Sequence, residues 1–196
     1  MAISVRPGGS RTLPRPRSTT ARGFTLVELL IVVAMVGVLA ALAIVGYRRY
    51  MDAAKSGEAK DIIGAIHVAQ ESYRAETLGY LDCSANLASW YPGTPDSKKR
   101  HWVQPGHGER ACWQTLNVAV DSPTRYGFAV VAGSPGDDPN ATAAPSTNQK
   151  PTWPNPATSP WYVVQAAGDN DDDNTLSYFV SSSFAPSEIY VENESE

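Results

Sequence analysis

The chain has 196 residues and a mass of 21.1 kDa, enough for one modest domain. At 42% hydrophobic and 18% charged it is neither a fully disordered chain nor a multi-span membrane protein. A net charge of -4 argues against a dedicated nucleic-acid binder, and two cysteines allow one bridge but no disulfide-dense scaffold.

The charge is unevenly spread. Residues 1–23 carry five Arg and no acid, residues 24–47 carry only Glu28, and the stretch from Gly168 onward carries eight acids and no base. A basic flank, an apolar run and an acidic remainder describe a chain oriented across a membrane, with the basic end cytoplasmic.

From Leu29 to Val45 seventeen residues pass without a polar side chain. Counted from Phe24 the run is about 22 residues, or roughly 33 Å of helix, enough to cross a bilayer core. Ile44-Val45-Gly46-Tyr47-Arg48 is a poor signal-peptidase site, so the run reads as a retained anchor. Glu28 is the anomaly, because an unpaired carboxylate inside a membrane helix is costly and is a functional candidate by default.

The flanking residues read Arg22-Gly23-Phe24-Thr25-Leu26-Val27-Glu28, followed by Leu29-Leu30-Ile31-Val32-Val33-Ala34. This segment resembles the type IV prepilin motif, shared by type IV pilins and type II secretion pseudopilins. The resemblance implies cleavage after Gly23 by a membrane prepilin peptidase, which also N-methylates Phe24. It implies retention of the apolar helix as a filament core, with Thr25 and Glu28 serving assembly. Gly23 lets an extended backbone enter a narrow protease cleft. Cleavage frees a cationic amine on Phe24. In the family the Glu28-equivalent carboxylate pairs with that amine on a neighbouring subunit.

Arg48 to Thr77 contains no Pro, and apolar or small residues recur at Met51, Ala54, Gly57, Ile62, Ile66, Ala69 and Tyr73. That period extends the helix over about 24–77. The expected organisation is a cleaved basic leader (1–23), a membrane or filament-core helix (24–47), its amphipathic half (48–77) and a globular head (78–196). His67 reads as a partly exposed helix residue.

Residues 78–125 show weak periodicity. Cys83 and Cys112 lie in a part of the chain expected outside the cytoplasm and read as a disulfide. A zinc set of Cys83, His101, His107 and Cys112 matches no standard finger spacing. The basic run Lys98-Lys99-Arg100-His101-Trp102 reads as a solvated loop or subunit contact, so DNA is not an expected partner. Trp113–Val118 reads as a connection into a sheet. Pro123–Gly133, Trp161–Ala166, Leu176–Ser181 and Ile189–Val191 read as strands, and the seven-proline stretch 134–160 as an extended surface loop. A helix followed by an antiparallel meander is an α+β fold, a pilin-like roll in the terms of the resemblance.

Asp169, Asp171 and Asp173 alternate like the first ligands of a Ca2+ loop, though no Gly marks the sharp turn and the expected Glu is absent. The other reading is a solvated hairpin with Asx turns. Calcium is thus the one cofactor in view. No Gly-x-Ser-x-Gly, His-Glu-x-x-His or Cys-x-x-Cys occurs, and no enzyme is expected.

The family resemblance implies a pilus subunit, with a type II secretion pseudopilin or minor pilin as the alternative. A signal-anchored, non-catalytic binding protein is the more distant reading. The implied partners are the prepilin peptidase, other pilin subunits, the inner-membrane platform and the assembly ATPase complex. The implied location is the inner membrane, then a surface pilus or periplasmic pseudopilus.

Overall fold

The computed structural model describes residues 23–148 and 150–194. The chain divides into two units, Met1–Ala43 and Ile44–Glu196. Helix α1, Leu26–Thr77, contributes to both and is long and apolar enough to cross a membrane. In the first unit its described side chains are all exposed, as the uninterrupted apolar run requires of a segment with no packed face.

The second unit is α+β. Strands β1 (Gly127–Gly133), β2 (Trp161–Gly168), β3 (Ser177–Ser182) and β4 (Tyr190–Glu192) form one antiparallel sheet in sequential order. Two short helices, α2 (Arg110–Leu116) and α3 (Pro139–Thr142), lie in the connections.

The 3.6-residue period of α1 puts Ala59, Ile62, Ile63, Ile66 and Ala69 on one buried face. This stripe joins Phe128, Val130, Tyr162, Val164, Ala166 and Phe179, the alternate residues of β1–β3. The intervening residues, Ala129, Val131, Trp161, Val163 and Val180, form a second cluster with Leu87, Ala143 and Ala157.

The sheet is therefore covered on both faces, and the proline-rich stretch is not the surface loop its composition implies. Pro139, Ala143, Pro145, Thr147 and Ala157 are buried in it. Gln165, fully buried in β2, ties the cover down: Ser146 N–H donates to its Oε1 (2.9 Å) and its Nε2 donates to Leu87 O (3.0 Å). Proline suits this role because a cover lying face-on to a sheet needs no ladder donors.

The outer edge of β1 is capped by the segment after α1. Tyr91 and Phe128 exchange both backbone hydrogen bonds (2.8 and 2.7 Å), Ser84 N–H reaches Val130 O (3.0 Å), and Ala132 N–H donates to Asp82 Oδ1 (3.2 Å). An edge strand left open is a template for pairing with other chains, so this cover protects the sheet. Gln70 holds the start of the same segment by a reciprocal pair with Leu81 (2.7 and 2.9 Å).

His67 is half-buried between α1 and the sheet. Its ring nitrogens bond Tyr162 OH and, at 3.0 Å, Ser181 Oγ. Burial pushes its pKa below the ordinary value of 6.5, and Glu71 opposes only part of that. In the unfolded chain the imidazole takes up a proton near 6.5; in the fold it resists. The resulting penalty is absent above 6.5, grows as pH falls below it and levels off beneath the folded value. The Tm of the wild-type protein is thus expected to fall more between pH 8 and pH 5 than that of His67→Gln. Equal falls would remove His67 as the source.

Candidate functional site

The helix start is built from the prepilin-like residues themselves. Gly23 and Phe24 precede α1 outside any helix or strand and are exposed, Phe24 by 78%. Thr25 occupies the N-cap position. Its Oγ1 accepts the Glu28 N–H (3.1 Å), and the Glu28 carboxylate reaches back to the Thr25 N–H (3.5 Å). This reciprocal arrangement is a capping box, which satisfies two of the helix's orphan donors. The Thr-x-x-Glu spacing was open to inspection, yet a reading centred on assembly passes over it. In the single chain Glu28 thus has a local partner, and the negative charge sits at the positive end of the helix dipole. Leader residues 1–22 lie outside the described residues.

The two cysteines form a disulfide with a Cα–Cα distance of 5.3 Å across a separation of 29 residues. It ties the cover of the β1 edge to α2, whose Trp113 and Leu116 enter the main core. Zinc is thereby excluded at the set considered above, since both thiols are consumed and His107 Nε2 lies 3.1 Å from Trp90 O. Trp113–Leu116 is helical rather than a plain connection. Asn117 ends that helix in the left-handed conformation (φ 55°), which asparagine tolerates better than most residues.

The basic run is largely consumed inside the head. Trp102 is buried against Tyr91, Trp113 and Phe128. Arg100 pairs with Asp96, and Lys99 lies 3.9 Å from Glu58 on α1. Glu58 also accepts the Arg125 N–H (3.2 Å), so α1 fastens the approach to β1.

The β2–β3 turn brings one carboxylate oxygen each from Asp169, Asp171 and Asp173 within 4.8 Å of one another. Asp169 is buried, and its two oxygens accept the N–H groups of Asp172 (2.7 Å) and Asn174 (3.0 Å). Asp172 and Asn174 both have positive φ, the conformation Asp and Asn adopt most readily after Gly. Lys55 Nζ donates to Asn170 O (3.3 Å), placing a cation at the turn already. Three carboxylates are only part of the six to eight oxygens that calcium takes.

A family model for the prokaryotic N-terminal methylation motif matches residues 19–44. The type IV major pilin protein PilA of Myxococcus xanthus is 46% identical over 61 residues, 31% of this chain and 28% of its own. A fimbrial protein of Neisseria meningitidis is 50% identical over 80 residues, 41% of each chain. The type II secretion system core protein G of Pseudomonas aeruginosa is 31% identical over 86 residues, 43% of this chain and 61% of its own. The matches thus span between about a quarter and three fifths of these relatives' lengths. No solved structure matches the chain. These relatives are named as pilin, fimbrial and secretion-system core proteins. The chain thus carries the prokaryotic N-terminal methylation motif and, over part of its length, is similar to type IV pilin and fimbrial proteins and to a type II secretion core protein.

Proposed function

We propose that the protein is a type IV pilin-like structural subunit. It is inserted in the inner membrane, cleaved after Gly23, N-methylated on Phe24 and polymerised through its apolar helix into a surface pilus. The observation that carries this reading is the conjunction of the Gly23-Phe24-Thr25-x-x-Glu28 segment with the exposed apolar run behind it. An exposed run of this length needs lipid or other helices around it, because water is a poor solvent for it. The partners that follow are a prepilin peptidase, further pilin subunits, an inner-membrane platform protein and an assembly ATPase.

The match to a secretion-system core protein favours a second reading, a periplasmic pseudopilin or minor pilin processed in the same way. Copy number separates the two. An abundant chain in sheared surface material is a pilin, and one confined to the envelope is a pseudopilin or minor pilin.

Gly23→Val tests the processing step. A branched side chain restricts the backbone and fills space that glycine leaves open. The variant is expected to accumulate with its leader attached and to form no filaments. Normal processing of Gly23→Val removes Gly23 from the recognised set.

Calcium is not needed to explain the acidic turn, because protein donors already satisfy Asp169. Calcium at about 1 mM, the range of extracellular calcium modules, is expected to leave Tm unchanged. A rise in Tm that Asp171→Asn removes assigns a cation to the cluster.

A further inference from the structure

We propose that a cavity of about 420 Å³ on the second face of the sheet binds a carbohydrate ring. It lies where the proline-rich cover meets β3 and the β3–β4 connection. Pro151, Trp153, Val180, Ser182, Glu188 and Tyr190 are among its lining residues. The volume falls in the range of small-molecule sites.

Two polar groups at this cavity are buried without a hydrogen-bond partner among the described residues, Trp153 Nε1 and Ser182 Oγ. Ser182 is only 1% exposed. Strand alternation puts its side chain on the same face as Val180, the face that bears the cavity. Buried donors and acceptors are normally satisfied, so a pair left open beside a cavity points to a group that enters it.

The wall that carries them is preorganised. Trp153 exchanges two hydrogen bonds with Asn140, its N–H to Oδ1 (2.8 Å) and Nδ2 to its carbonyl (3.0 Å). Its ring stacks on Phe184 (6.0 Å between centroids), which in turn stacks on Trp161 (6.4 Å). On the other side, Ser181 Oγ donates to Glu188 O (2.7 Å) and fixes the β3–β4 connection. A site held in this way loses little freedom on binding.

The chemistry of the lining selects the ligand class. Indole N–H only donates, a carboxylate only accepts, and the serine and tyrosine hydroxyls do both. Sugar hydroxyls also do both, and the C–H face of a pyranose lies flat on an aromatic ring. A proline-rich peptide matches the aromatic walls and the donors. It offers carbonyl acceptors but few donors for Glu188, so the mixed lining favours the sugar.

The test uses the full chain in micelles of a detergent without a sugar headgroup. Glucose, galactose, N-acetylglucosamine, their disaccharides and a proline-rich peptide are each titrated to about 50 mM, a limit suited to a Kd on the order of 1 mM. Saturation-transfer NMR reads binding. At least one sugar is expected to bind, with affinity lowered about 5-fold or more by Ser182→Ala and by Glu188→Gln. Ser182→Ala is also expected to keep or raise Tm, because it removes a buried, unpartnered hydroxyl. Glu188→Gln keeps the shape of the side chain and guards against a folding artefact. Three results overturn the proposal: no sugar bound, binding untouched by both variants, or binding only to a proline-rich peptide.

Discussion

Glu28→Gln is expected to abolish surface filaments while leaving the chain folded, inserted and processed. The variant separates two roles of one carboxylate. In the single chain Glu28 closes a capping box with Thr25, and an amide oxygen can accept the same N–H. The proposed assembly role needs the charge, because its partner is the cationic amine of a neighbouring Phe24. Removing one member of an ion pair in an apolar filament core costs about 3–5 kcal/mol, which is more than a 100-fold loss in subunit affinity. Losing the cap costs only about 1 kcal/mol. Filament yield should therefore collapse in Glu28→Gln and Glu28→Leu alike and fall only modestly in Thr25→Ala. Normal filaments from Glu28→Gln would leave Glu28 with the capping role alone.

The second large effect lies in the head. Cys83→Ala with Cys112→Ala should lower its stability by about 3–4 kcal/mol, from the chain entropy released when a loop of this length is opened. That is a fall in Tm of about 10 °C for a domain of this size. The location adds a second consequence. The disulfide holds the segment that covers the outer edge of β1, so its loss should expose that edge and promote aggregation before full unfolding. Thermal melts with and without reductant, read beside light scattering, check both parts. A double variant that melts within about 2 °C of wild type and stays monodisperse contradicts this account of the bridge.

What the sequence made legible follows the range of each signal. The apolar run, the Gly23–Glu28 segment and the four strands are local patterns, readable within a few residues. The cysteine pair needed only an expected location outside the cytoplasm. Helix α2 was hidden because seven residues make barely two turns, too few to show a period. The two-sided burial of the sheet was hidden for a different reason. It depends on the proline-rich stretch folding back over Trp161, Val163 and Val180, a long-range event that composition reads as solvent exposure. Trp102 and His67 carry the same lesson. A tryptophan inside a basic run is a core residue, and a histidine on a helix face bonds two strands because the sheet arrives beside it.

The central claim is that the chain is cut after Gly23 and built into a filament by the helix that begins at Phe24. The most direct measurement is the intact mass of the protein in sheared surface material and in washed membranes. The account predicts a species that begins at N-methylated Phe24 and is abundant in the sheared fraction. A mass that retains residues 1–23 in both fractions would contradict it and leave a head domain on an uncleaved anchor.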